Sequence, residues 1–484
     1  MIGGSRAGVS FPVPIDLPPY AVQLRSLAPA LLLVAAALVH PFLALAAGVG
    51  MLLWLAAADP SGASMRRFLV LSLGFPVYIA AGGRDLGTVS SVLILAAAVI
   101  RLLQAGKGES RVPPALLLLA AATVVPLALP LFSLPPDALG PALRRLAAMV
   151  VNLAAFWFVL STVRTREDLI DTVQAFHLMI AVTAAIMLVT VTVPGTGTML
   201  RVFGHRGSEE FAVAVQDDIV RAMGPLGDYE LAAELMAIGM LLAAGLAVAY
   251  SAGGGWRGYA ASFVLMLLAL GSTATRGALI AFGAGLLLFL LAARRLRLVR
   301  LQGLLLPAAF AAGLLALFVT LVGTEGILLA FGRRLARTEF EGLVPDTRLF
   351  VWAFYLPRIL ESPWLGTGLA LHSFEDAPYD PHSLWIHLLL AGGVPALALF
   401  LLFAAVLTVR SLRALLRAPV VFRSDAVLLA VAAAAVAFVV DQWKITYLRL
   451  ENYQHMMWVL FGLCGAAGSV AGRTTGEPGE DDRE

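Results

Sequence analysis

Charge is what this sequence has least of. Only 13% of its 484 residues are Asp, Glu, Lys or Arg, about half of the roughly 25% usual in soluble domains. Lysine is almost missing, with Lys107 and Lys444 standing among many arginines. A single cysteine, Cys464, excludes both an intrachain disulfide and a thiolate metal site. Polar linkers are also lacking, and a soluble chain of this length would need them between about three domains. No basic run with interleaved aromatics exists, so no nucleic-acid partner is expected. No internal repeat is visible, which speaks against a transporter built from inverted halves.

What fills the sequence is apolar, at 60% hydrophobic residues and a mean hydropathy of +0.88. The apolar residues come in stretches of roughly the 17–25 residues that cross a hydrocarbon core. They fall at 26–40, 42–58, 66–82, 86–103, 113–132, 143–163, 170–193, 229–250, 257–273, 277–293, 302–323, 383–408, 425–443 and 453–471. The expected fold is therefore all-α: a polytopic helical membrane protein of about fourteen spans (12–14), the first two separate or one helix kinked at His40-Pro41. On a fourteen-span count, basic residues concentrate on one set of loops (Arg66, Arg67, Arg101, Arg294, Arg295, Arg410 and Arg413 among them). By the positive-inside rule those loops, and both termini, are cytoplasmic. The start of the chain reads as an uncleaved signal anchor.

The expected organisation is an N-terminal bundle over 1–194, a long outer loop over 195–228 and central spans over 229–323. A second long outer loop follows over 324–382, then C-terminal spans over 383–471 and an acidic tail over 472–484. Loops this long are functional or disordered. Their Trp, Phe, Tyr, Pro and Gly content favours two ordered loops that carry the chemistry at the outer face.

In the second loop, Pro345-Asp346 reads as a helix start. Leu349, Trp352, Ala353 and Leu356 give an amphipathic surface helix that Pro357 kinks or ends, with Arg348 near the face of Trp352. Asp380-Pro381-His382 reads as another start, with Asp380 as N-cap and Pro381 at the first helical position. His382 would then lie in the first turn of a span, where the helix dipole disfavours imidazolium. It is a general base or an interfacial histidine satisfied by a carbonyl. His387, five residues on, cannot share its face, so no metal site is expected there, and mid-span His177 should bond another helix. Arg276, in the hairpin Gly271-Ser272-Thr273-Ala274-Thr275-Arg276-Gly277-Ala278, is a snorkelling residue or a bidentate phosphate ligand. In the first loop Arg206 and Arg221 are further anion contacts. Glu230 and Glu234, one turn apart, bind a cation or sugar hydroxyls or form a solvated helix end. Asp441 and Lys444 should pair at i, i+3.

Taken in order, Thr275-Arg276-Gly277-Ala278, Arg348, Trp352, Ser362-Pro363, Gly366-Thr367-Gly368, His382-Ser383-Leu384-Trp385 and Gly392-Gly393 resemble the signature of the bacterial O-antigen ligase/polymerase family over about residues 222–410. Ser383 stands where many members have Asn, and Ala391-Gly392-Gly393 replaces an acidic residue before the last glycine. The resemblance implies a GT-C-like, metal-independent, cofactor-free, inverting glycosyltransferase of the inner membrane. It would take a glycan from an undecaprenyl-diphosphate carrier and pass it, at the outer face, to lipid A-core (ligase) or to another glycan (polymerase). His382 would be the base and Arg276 and Arg348 the diphosphate ligands, with Arg206, Arg221, Glu230, Trp352 and Asp380 around the substrates. The alternative is a multi-pass flippase or transporter of a lipid-linked glycan, which would need ionisable groups near the membrane midplane.

Overall fold

A computed structural model of the chain describes residues 26–81, 84–104, 112–193, 213–216, 219–252, 254–298, 347–369, 381–418 and 421–473. The predicted span 302–323, the tail 474–484 and most of both long loops lie outside the described residues. Apolar runs set the helices: α1 Leu27–Val39, α2 Pro41–Ala58, α3 Ala63–Ser72, α4 Val89–Gln104, α5 Pro114–Ala128, α6 Pro136–Thr162 and α7 Arg166–Thr192. After them come α8 Tyr229–Ala249, α9 Trp256–Ser272, α10 Arg276–Arg295, α11 Thr347–Glu361, α12 Leu384–Arg417, α13 Asp425–Asp441 and α14 Glu451–Arg473. Among the described residues, seven helices are long and apolar enough to cross a membrane, and α1, α4 and α9 are shorter apolar helices. The structure is mostly helical, as expected, and it separates α1 from α2 at His40, which caps α2 by accepting from Phe42 N.

Three predicted stretches need correction. The stretch 66–82 is not one helix. α3 ends at Ser72, and an antiparallel hairpin of β1 Tyr78–Ala81 and β2 Arg84–Thr88 follows, because Gly74-Phe75-Pro76 cannot continue the helix. The freed carbonyl of Leu73 accepts from the Asn452 side chain, as irregular backbone inside a bundle requires. Pro357 does not end its helix: α11 runs on to Glu361. The stretch 383–408 is not continuous either, since α12 breaks at Gly392 and Gly393.

That break joins two glycine motifs into one device. Gly393 sits at φ +69, and a Cβ there would lie 2.5 Å from the Pro363 carbonyl oxygen. The break frees the carbonyls of Leu390 and Ala391, which accept from Thr367 N (2.6 Å) and Gly368 N (3.0 Å). Val394 N in turn donates to Pro363 O at 2.7 Å. A Cβ at Gly366 would strike the Ala391–Gly392 peptide at 2.6 Å. The loop over 362–368 is thus a clamp on the broken helix, and α11 packs beside it with Val351, Tyr355 and Ile359 against Leu390.

Of the seven helices long and apolar enough to cross a membrane, α8 is the most enclosed, with 83% of its apolar stretch buried, against 28% for α2 and α10. It packs against α7, α9, α10 and α13, and α14 packs against α6, α12 and α13. His177 on α7 bonds Ser262 of α9 at 2.9 Å, the interhelical bond expected of it. α6 and α14 run parallel, with Asn152, past the middle of α6, bonding Gln454 (3.0 Å) and His455 (2.7 Å) near the N-terminal end of α14. At the other end of the bundle, Arg66 of α3 bonds Asp168 (2.9 Å) and the Thr162 carbonyl (2.7 Å), and Arg166 pairs with Asp425 at 2.8 Å. The cationic loops at that end are therefore tied to carboxylates.

Candidate functional site

The buried helices must satisfy polar groups where they meet, and they do so at the end holding the start of α8, the end of α13 and the start of α14. Asp228 caps α8, accepting from Glu230 N (2.8 Å) and Leu231 N (3.0 Å). Between α13 and α14 the chain turns through a 3-10 segment, Tyr447–Arg449, started by Thr446, whose hydroxyl accepts from Leu448 N. Tyr447 is buried against Phe400 and Phe438, and that burial raises its phenol above the ordinary range, so it stays neutral. This turn aims Arg449 back at α8.

Arg449 is the hub. Its Nη1 lies 3.3 Å from Asp228 Oδ2 and 3.1 Å from Glu230 Oε2. Its Nη2 donates to His382 Nδ1. An arginine nitrogen only donates, so His382 accepts at Nδ1 and its proton sits on Nε2. Glu230 Oε2 stands 3.7 Å from the same Nδ1. A carboxylate, an imidazole and a guanidinium thus meet at one ring nitrogen.

His382 does not sit in the first turn of a span. α12 starts at Leu384 with Ser383 as N-cap, and His382 precedes it at φ +49, a region costly for a side-chain-bearing residue. The helix-dipole reading of its charge is therefore set aside. What holds the backbone here is Trp352 of α11, whose Nε1 donates to the Pro381 carbonyl at 3.1 Å. The indole also packs edge-to-face on Trp443, centroids 6.0 Å apart. Non-glycine residues held at positive φ cluster at functional sites.

The solvated-end reading of Glu230 and Glu234 is overturned, as both are buried, at 5% and 1% exposure. Glu234 accepts from Gln442 Nε2 (2.9 and 3.0 Å) and from the Tyr453 hydroxyl (2.7 Å), which ties α8 to α13 and α14. Asp441 and Lys444 pair at 3.0 Å in full burial. Lys444 lies across the first turn of α10, where a Cβ on Gly277 would collide with its side chain. The Thr275-Arg276-Gly277-Ala278 turn is therefore seated on the same loop that carries Arg449.

Arg221 stands on β4 (Ile219–Ala222), which pairs with β3 (Val213–Gln216). It is 3% exposed, and its guanidinium carbon sits 4.4 Å over the Tyr229 ring. Its Nε and Nη2 have no hydrogen-bond partner among the described residues. The side chains of Arg276 and Arg348, and all of Arg206 and Asp380, lie outside the described residues; the backbones of Arg276 and Arg348 open α10 and α11. Sequence reading missed Arg449 and the carboxylate Asp228. Asp228 was legible as an N-cap before an apolar run; nothing local distinguishes Arg449.

Comparison with curated proteins finds no match. Residues 261–401, which take in the Arg276 turn, α11, the clamp loop, His382 and the α12 break but not Arg221, Asp228, Glu230 or Arg449, match the family model described as O-antigen ligase. That segment, under a third of the chain, is what the chain shares with the O-antigen ligase family.

Proposed function

We propose that the protein is an inverting glycosyltransferase that moves a glycan from an undecaprenyl-diphosphate carrier to an acceptor hydroxyl at the outer face of the bacterial inner membrane. In the reaction the acceptor oxygen bonds the anomeric carbon while the bond from that carbon to the phosphate oxygen breaks. The acceptor proton goes to His382, and undecaprenyl diphosphate leaves with the electron pair. Without a metal, guanidinium groups must take up the developing phosphate charge, a role we give to Arg221, Arg276 and Arg348, with Arg206 as a further anion contact and Asp380 as a contact to the glycan. Trp352 positions His382.

The observation that carries this reading is Arg221. A buried cation whose Nε and Nη2 have no partner among the described residues is costly unless an anion meets it, and this one stands over the Tyr229 ring, next to Glu230, at the His382 end of the bundle. A planar guanidinium fork suits a diphosphate oxygen pair. The test is transfer in liposomes from an undecaprenyl-diphosphate-linked glycan, with EDTA present throughout. Arg221→Ala should lower the rate by roughly 100-fold or more, the usual effect of losing one charge-stabilising donor. A full rate from Arg221→Ala, or a dependence on added metal, would remove the diphosphate role of these arginines. Product size separates the two acceptor classes: a single addition indicates a ligase and a ladder of carrier-linked repeats a polymerase.

A further inference from the structure

We infer that Arg449 is a positioning residue that holds His382 in its resting tautomer, and that a diphosphate anion entering the site draws Arg449 Nη2 away so that Glu230 takes over Nδ1 and frees Nε2 as the base. The inference rests on the transferase reading above, and two of its three residues, Arg449 and Glu230, lie outside the matched segment.

The geometry leads there in three steps. First, Nη2 occupies the Nδ1 lone pair, so in the resting protein the one unprotonated ring nitrogen is covered. The imidazole in that state has no nitrogen open to take a proton from a hydroxyl. Second, a replacement partner is already in place. Glu230 Oε2 is 3.7 Å from Nδ1, and a carboxylate has room for several donors, so Glu230 can accept from Nδ1–H while keeping Arg449 Nη1. Third, the rigid guanidinium only has to pivot about Nη1. Nη1 stays anchored on Asp228 and Glu230, while Nη2 turns to a phosphate oxygen, a partner that guanidinium matches well.

The change of tautomer balances through water: one proton leaves Nε2 and another is taken up at Nδ1, with no change in charge. The product is a carboxylate–imidazole pair with Nε2 open. Coupling base formation to the anion gives the arrangement a purpose. The base is assembled only when the leaving group is present, so hydroxyls are not activated in its absence.

The test reads the tautomer directly, by nitrogen-15 NMR of histidine-labelled full-length protein in nanodiscs, with the His382 signals assigned by their loss in His382→Gln. The resting wild type should show the proton on Nε2. Arg449→Gln should show it on Nδ1 with nothing added, and the double variant Arg449→Gln/Glu230→Gln should lose that preference. Undecaprenyl diphosphate added to the wild type should move the proton to Nδ1. A proton that stays on Nε2 in Arg449→Gln, or a wild type that does not respond to undecaprenyl diphosphate, overturns the inference. In transfer assays Arg449→Gln, whose base is assembled but whose contact to the phosphate oxygen is gone, should raise the donor KM at least tenfold with the acceptor KM unchanged, and Arg449→Lys should recover only part of it. These arms separate the two ideas. Wild type that transfers no glycan, yet switches tautomer as described, would sink the transferase reading and leave the Arg449–Glu230 exchange standing.

Discussion

At the scale of single residues, the site is a set of constraints converging on one strained backbone position. His382 is held at φ +49 by a tryptophan on a different helix, and a neutral hydrogen bond of this kind contributes about 0.5–1.5 kcal/mol. Trp352→Phe keeps the aromatic packing on Trp443 and removes only the bond to Pro381. It should slow transfer by between about twofold and tenfold, the rate equivalent of that energy, without lowering the amount of folded protein in the membrane. Turnover set against yield from detergent extracts checks this, and an unchanged rate would detach Trp352 from the positioning of His382. His382 was legible in the sequence as a candidate because of its place in an ordered set of motifs. Its conformation was not: Asp380-Pro381 carries the signature of a helix start, but Ser383 two residues later is the cap the chain uses. Arg449 was invisible for another reason. Its partners Asp228 and Glu230 are more than 200 residues away in the chain, and no local spacing encodes such a contact.

At the scale of elements, the glycine motifs matter through the clamp they build. The loop over 362–368 supplies the amides that the broken α12 lacks, so each side makes the other possible. Gly393→Ala would place a side chain in a left-handed conformation costing roughly 1–2 kcal/mol and drive it into Pro363 O. It should lower thermal stability in detergent by about 2 kcal/mol or more. Gly50→Ala, inside α2 with nothing near its Cβ position, is the matching control and should be neutral or gain about 0.5–1 kcal/mol. Equal effects of the two substitutions would mean that the clamp is not under the constraint described. Most helices could be read from apolar length alone. α3 and α12 could not, because hydropathy records how apolar a stretch is and not whether its backbone stays helical. Gly74-Phe75-Pro76 and Gly392-Gly393 were the signals available, and both lie inside otherwise unbroken apolar runs.

At the scale of the molecule, the polar ends of its most buried helices are gathered at one end of the bundle, and the arginine–carboxylate pairs of Arg66 and Arg166 close the other. α6 links the two ends: its 27 residues span about 40 Å, from Asp137 at the site end to Thr162 beside Gly62. Since Cys464 is buried, a cysteine introduced at the surface is the reactive one. In intact cells a membrane-impermeant maleimide should label Asp137→Cys, and should label Ser61→Cys only after permeabilisation. The reverse pattern would put the site on the cytoplasmic face and contradict an externally acting transferase. The central claim, that His382 is the group that takes the acceptor proton, is tested most directly by glycan transfer from an undecaprenyl-diphosphate donor in liposomes, with wild type and His382→Ala compared side by side. Wild type should transfer the glycan and His382→Ala should not, although the variant still binds the donor; transfer by His382→Ala at the wild-type rate would contradict the account.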